Sequence, residues 1–147
     1  MSKDEILEIL PTPDSEIFKN LRENSPYNIM LEYSYAINEK YNKKISATVT
    51  ESSIIEDKNS HGTELNYAFY INAPIGRGYF YKLFEVKLEK DAQYPVSVKA
   101  FEKQTKNFGK AETADHFNSI LIKIFKSRFT SNLILNLLVQ VDFYNEV

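Results

Sequence analysis

Hydrophobic and polar residues alternate with two different periods along this chain, and the change of period divides it into three parts. In residues 2–42 and 113–141, apolar side chains recur at the spacing of a helix face. Between residues 45 and 101 they alternate with polar side chains, which is typical of half-buried strands. The resulting α-β-β-β-β-α order predicts an α+β domain, with a four-stranded, mostly antiparallel sheet packed by N-terminal and C-terminal helices.

Capping signals divide the first part of the chain into three predicted helices. Ser2, with a glutamate three residues later, matches a capping box for a short helix that Pro11 ends. Thr12 followed by proline predicts the start of a second short helix. Ser25 followed by proline predicts the start of a longer third helix that ends near residue 42.

Four strands are predicted between these helices and the C-terminal ones. Turn residues at 57–62 separate the first two strands, and the glycines in residues 76–78 provide a hairpin between the second and third. Residues 94–101 form the fourth strand, where Pro95 indicates a sheet edge, and residues 102–112 are predicted to be a polar loop. The predicted inward positions of the third strand are Phe80, Phe84, Val86 and Leu88.

Two helical segments are predicted after the sheet. Thr113 is placed to cap the first, and residues 127–132 interrupt the helical pattern. The second segment is apolar nearly all round, so it is expected to be buried on several sides. The first carries Phe117, Ile120, Leu121 and Ile124, and the second carries Leu133, Ile134, Leu135, Leu137, Leu138, Val139 and Val141.

Composition narrows the class of protein. A chain of 147 residues fits a single α+β domain over residues 1–147. The absence of cysteine excludes disulfides, thiolate metal sites and cysteine nucleophiles. The acidic N-terminal stretch lacks the features of a signal peptide, and no apolar run approaches the ~20 residues of a membrane span. We therefore expect a cytoplasmic protein that does not enter membranes.

Charge argues against nucleic acid as a partner. The net charge is −2, whereas dedicated nucleic-acid binders usually carry a strong basic excess. The α-β-β-β-α core order is similar to that of double-stranded-RNA-binding domains, but those have three strands and a basic helix start. Residues 112–115, at the corresponding helix start here, are acidic. Two modest basic groups are expected to be solvated, namely Lys103, Lys106 and Lys110, and Lys123, Lys126 and Arg128.

One face of the predicted sheet is rich in aromatic residues and is the main candidate for function. Strand alternation places this face opposite the helix-packed one, unless the N-terminal helices cover it as a second core layer. An open aromatic patch usually marks a protein interface. We therefore expect a protein partner or a homodimer, formed through this face or through the wide apolar last helix. The predicted interaction surface consists of Tyr70, Tyr79, Tyr81, Leu83 and Phe101.

An enzyme is the second hypothesis. Glu85-Val86-Lys87 resembles the E-x-K part of the metal-dependent nucleases with the PD-(D/E)xK motif. In that family a carboxylate and a lysine on one strand face hold Mg²⁺ and the attacking water. The resemblance covers one tripeptide, and the preceding strand offers only Glu64 as a further acid. A charged pair on a solvated strand face is the simpler explanation of Glu85 and Lys87, so we predict no catalytic residue, metal or cofactor.

A small-molecule site is the third hypothesis. Ligand pockets are lined by aromatic side chains with a few polar groups, and a pocket of that kind can lie between the sheet and the C-terminal helices. A filled core has the same composition, so the sequence does not separate the two. The residues concerned are Tyr33, Tyr67, Phe69, Phe80 and Phe84.

Overall fold

The computed structural model describes residues 1–55, 63–89 and 91–145, so the turn predicted at 57–62 lies outside the described residues. The described residues form five helices and five strands, which confirms the α+β prediction and corrects the number of strands from four to five. The helices are α1 (Lys3–Ile9), α2 (Glu16–Glu23), α3 (Pro26–Lys40), α4 (Ala114–Lys126) and α5 (Arg128–Asn145). The strands are β1 (Ser46–Ile55), β2 (Thr63–Ala73), β3 (Tyr79–Glu89), β4 (Val96–Phe101) and β5 (Thr105–Ala111).

The sheet is an antiparallel meander in the order β1-β2-β3-β4-β5. The extra strand, β5, comes from the segment predicted to be a polar loop. It pairs with the whole of β4, from Val96 opposite Ala111 to Phe101 opposite Thr105. The strand is held by this backbone pairing, since its only large apolar side chain is Phe108. Because β5 forms the edge, Pro95 precedes an internal strand and does not mark the edge that was predicted.

The predicted capping residues begin two of the first three helices. The Ser2 hydroxyl accepts from the Glu5 backbone N–H at 3.3 Å, completing the predicted capping box of α1. Ser25 caps α3 as predicted. The second helix begins later than predicted, because Ser15 is its N-cap. Thr12 instead accepts the Ser15 N–H through its carbonyl at 3.2 Å, which folds residues 12–15 into a turn.

One side of the sheet, here called the helix side, packs against the helices, and the other is called the far side. The rings of Phe69 and Phe84 stack on each other at 4.9 Å on the helix side, and both meet Phe125 of α4 edge-on. The open edge of β1 is occupied by α3. Asn38 accepts the Ala47 N–H at 2.8 Å, and Ser34 donates to the Ala47 carbonyl at 2.7 Å. These bonds satisfy backbone groups that an edge strand would otherwise expose.

The two C-terminal helices are separated by a single residue. Ser127 ends α4 and caps α5, since its hydroxyl accepts the Thr130 N–H at 3.1 Å. The interruption predicted over residues 127–132 is therefore much shorter. Thr113 caps α4 as predicted, accepting the His116 N–H at 3.1 Å.

Candidate interaction surfaces

A β-bulge in β3 divides the predicted tyrosine face between the two sides of the sheet. Phe69 lies opposite Phe84, but the next residue of β2, Tyr70, lies opposite Lys82, so Leu83 has no partner. Side chains alternate strictly along a strand, and the extra residue therefore reverses the sides of everything that precedes it in β3. The prediction that all five residues share one face opposite the helices is wrong for this reason.

Three of the five predicted residues lie on the helix side. Leu83 is 1% exposed and belongs to the core. Tyr81 lies opposite the buried Ile71, and Tyr79 lies opposite the buried Ala73. The same reversal moves Phe80, which was predicted to point inward, to the far side with 69% of its surface exposed.

Tyr81 connects β3 to the C-terminal half of the molecule. Its ring lies 5.7 Å from that of Phe129 on α5, and its hydroxyl donates to the Phe101 carbonyl at the end of β4. Burial, followed by the nearby Tyr79 and Glu102, raises the pKa of Tyr81. Its half-buried hydroxyl thus serves as a structural donor.

Tyr70 and Phe101 remain on the far side, where they lie among charged residues. Lys82 lies opposite Tyr70, and its ammonium lies 4.7 Å from the centre of the Phe101 ring. The same ammonium is 3.2 Å from Glu85, and Lys99 approaches the other oxygen of that carboxylate at 4.0 Å. This part of the sheet is an ion-pair cluster with two aromatic rings at its border.

The surroundings of Glu85 do not support the nuclease hypothesis. Glu85 is 9% exposed. Its carboxylate already lies near the ammonium groups of Lys82 and Lys99. The 180 Å³ cavity beside it is lined by Lys87, Lys99 and neutral residues, with no second carboxylate. In the part of the chain that the structure describes, no group of three His, Cys, Asp or Glu residues is placed to hold a metal ion.

Four of the five aromatic residues of the third hypothesis pack against other aromatic rings, whereas Phe80 is exposed. Phe69 and Phe84 are fully buried, and Tyr33 stacks on Phe125 at 4.9 Å. Tyr67 is 8% exposed and lies against Tyr27, with ring centres 5.1 Å apart. These rings fill the space between sheet and helices, as expected of a close-packed interior.

The outer side of α5 carries exposed apolar residues; Leu135 and Val139 belong to the pattern predicted from the sequence, whereas Phe143 was not part of it. Leu135, Val139 and Phe143 follow one another at every fourth position and are 57%, 53% and 65% exposed. These three residues are called the α5 stripe. They correct the expectation that the last helix is buried on several sides, since only the opposite side, with Leu137 and Val141, packs into the core.

A groove lies where the β4–β5 hairpin approaches the beginning of α5. Its volume is about 870 Å³. Lys103 and Lys106 of the hairpin and Arg128 of α5 provide cations, while Phe129 and Leu133 provide an apolar surface. The same groove is lined by Glu102 and by neutral polar residues, including Asn132 and Asn136. We call it the basic groove; it joins residues from both basic groups of the sequence.

The first two helices also leave apolar side chains in solvent. Neither α1 nor α2 contains a buried residue. Between 42% and 74% of each of their seven large apolar residues is exposed, namely Ile6, Leu7, Ile9, Leu10, Ile17, Phe18 and Leu21. Such a concentration of exposed apolar residues is unusual for a surface that contacts only water.

Comparisons of the chain with protein-family profiles, curated proteins and solved structures find no match. Among the described residues, no helix is long and apolar enough to cross a membrane.

Proposed function

We propose that this protein is a non-catalytic self-association module, in which two copies pack through the α5 stripe. The observation that supports this is the spacing of Leu135, Val139 and Phe143, which line one exposed side of an 18-residue helix. Isolated exposed apolar residues are normal, but a continuous row of three along a helix is typical of a helix-packing surface.

The charge of α5 favours a second copy as the partner. No charged residue occurs between Phe129 and Val141. The next residue, Asp142, is paired with Lys44 of its own chain at 3.1 Å. In a two-fold symmetric interface each surface meets itself, so a charged surface would repel its copy, whereas this one does not.

The side chains beside the stripe suit the same arrangement. Asn132, Asn136 and Gln140 follow one another at every fourth position and are exposed. Amide side chains both donate and accept hydrogen bonds, so each can pair with its equivalent across a two-fold axis. In an antiparallel arrangement, Val139 would lie near the axis, and Leu135 of each copy would face Phe143 of the other.

The expected affinity is modest. Complete burial of one large apolar side chain contributes about 1.5–3 kcal/mol, and the three stripe residues are each a little more than half exposed. Six such side chains in a dimer therefore contribute roughly 6–9 kcal/mol, against an association cost of at least about 4 kcal/mol. Additional contacts are needed for a tight complex.

The test replaces the stripe while preserving the core. The wild-type chain should show a concentration-dependent monomer–dimer equilibrium by sedimentation velocity. Leu135→Ser, Val139→Ser and Phe143→Ser combined should weaken it at least about a hundredfold, because 1.4 kcal/mol corresponds to a factor of ten. Ile122→Ser is the matched control, since Ile122 is 41% exposed on α4, outside the stripe. A wild-type chain that stays monomeric, or a triple variant that associates normally, would contradict the proposal.

A further inference from the structure

The basic groove and the α1 segment, residues 1–10, have complementary chemistry. The groove lining contains three cations and one carboxylate around the apolar side chains of Phe129 and Leu133. The α1 segment contains three carboxylates and one lysine, with five exposed apolar residues. Phe129 and Leu133 are half-buried against the core, and α1 contains no buried residue.

The helix geometry of α1 separates its two kinds of side chain. Asp4 and Glu8 are one turn apart, and Ile6 and Leu10 are one turn apart on another side. Glu5, the third acidic residue of the segment, is already engaged, because its carboxylate accepts the Ser2 N–H in the capping box. The apolar side, which also carries Lys3 one turn before Leu7, therefore has an acidic border formed by Asp4 and Glu8.

We infer that the α1 segment of a second copy occupies the basic groove, with Ile6, Leu7 and Leu10 against the apolar surface and Asp4 and Glu8 near Lys103 and Lys106. The inference rests on the proposed self-association and supplies contacts that the α5 stripe alone lacks. Amphipathic helices bind grooves in this way when apolar contacts and border charges agree.

The partner segment is assigned to another copy because, among the described residues, none of those that line the groove belongs to the chain's own N-terminal helices. Ile17 and Leu21 of α2 line a cleft with Tyr94 and Ala114, at the beginning of α4. The basic groove lies at the other end, where α4 gives way to α5. The 13 residues of α4 span about 20 Å.

The groove is also continuous with the proposed dimer surface. Asn132 and Asn136 line the groove and lie in the row beside the α5 stripe. A second copy packed on the stripe would therefore bring other parts of its chain close to the groove. Reciprocal exchange of two α1 segments would preserve a closed two-fold assembly.

A charge-exchange experiment with the full chain tests this inference. The arm variant carries Asp4→Lys and Glu8→Lys, and the groove variant carries Lys103→Glu and Lys106→Glu. Each alone places like charges together at both α1–groove contacts, so its self-association should weaken about tenfold. An equimolar mixture should recover wild-type affinity as a heterodimer, because every α1 segment then meets a groove of opposite charge.

The control variant carries Lys40→Glu and Lys123→Glu, which change the net charge as much and in the same direction as the groove variant does, at exposed positions outside the groove lining. It should self-associate within about threefold of the wild type, because isolated surface charges contribute little. Heterodimer formation is measured by native mass spectrometry, with one variant isotopically labelled. Circular dichroism confirms that each variant is folded.

The results separate this inference from the proposed function. If the stripe variant is monomeric while the arm, groove and control variants all associate as the wild type does, the proposed function stands and the inference fails. If charge exchange restores association while the stripe variant behaves as wild type, the inference stands and the stripe interface fails. Nucleic acid that copurifies with the wild type and is lost in the groove variant, without recovery of dimer in the mixture, would assign the groove to phosphate and overturn the inference.

Discussion

The two C-terminal helices, α4 and α5, are neighbours in the chain and are both rich in apolar residues, but they place those residues differently. In α4 the residues Phe117, Ile120, Leu121 and Ile124 occupy one side and are all buried. In α5, Leu137 and Val141 are buried, while the α5 stripe faces solvent. Similar composition therefore produces one helix that the core satisfies and one that has a second apolar surface.

This difference shows which parts of the sequence serve folding and which remain available for association. An apolar side chain in the core of α4 contributes to the free energy of unfolding of the single chain. An apolar side chain in the α5 stripe contributes less to it, because more than half of its surface stays in water after folding. Only a partner can bury it. Stability and association should therefore respond to different substitutions, although the residues are of the same type.

The largest expected effect is the difference in stability loss between alanine variants of one phenylalanine in α4 and one in α5. Phe117→Ala removes a fully buried ring and should reduce the free energy of unfolding by about 3–5 kcal/mol. Phe143→Ala, at a position 65% exposed, should change it by less than about 0.5 kcal/mol. Urea denaturation at low protein concentration measures both. Equal losses of stability in the two variants would show that α4 and α5 do not differ in this way.

Local signals in the sequence were sufficient to predict α4. The spacing of Phe117 and Ile124 and the hydroxyl of Thr113 are sufficient to place α4, since both act within a few residues. Ser2 and Ser25 predicted helix starts for the same reason. The outer side of α5 was predicted to be buried, because its pattern shows an apolar surface but not whether the same chain covers it.

The errors in the sheet arose where pairing, not local pattern, decides the structure. Residues 79–84 contain aromatic or apolar side chains at almost every position, so the pattern fits either register, and the bulge at Leu83 depends on β2. Strand β5 is largely polar and is defined by hydrogen bonds to β4. The basic groove depends on β5, so Lys106 and Arg128 were assigned to separate solvated groups.

A smaller effect is expected at the junction of the two helices. Ser127→Ala removes the N-cap of α5 and the partner of the buried Thr130 hydroxyl, which lies 3.0 Å from the serine oxygen. The variant should lose about 1–2 kcal/mol of stability by urea denaturation. Ser131→Ala, at an exposed position within α5, is the matched control and should change stability by less than about 0.5 kcal/mol. If the two variants lose the same amount, the cap at Ser127 does not stabilise α5.

The smallest effect concerns the beginning of α4 and its contact with the N-terminal helices. The Tyr94 hydroxyl donates to the Asn24 carbonyl at 2.7 Å, and its ring meets Phe117 edge-on at 6.4 Å. Burial, followed by the nearby Asp115, raises the pKa of Tyr94 to about 12. Because the folded pKa exceeds the unfolded value near 10, the folded chain holds this proton more tightly. The resulting stability is complete below pH 10 and is lost as the pH rises toward 12.

Partial exposure of Tyr94 reduces the expected size of this loss to about 1 kcal/mol. Urea denaturation between pH 9 and pH 12 should therefore show a steeper decline for the wild type than for Tyr94→Phe. Tyr33, Tyr67 and Tyr81 also have raised pKa values, so some decline should persist in the variant. Tyr35→Phe, at a side chain 62% exposed, should keep the wild-type slope. Identical slopes for wild type and Tyr94→Phe would show that the raised pKa of Tyr94 does not contribute to the decline of stability at high pH.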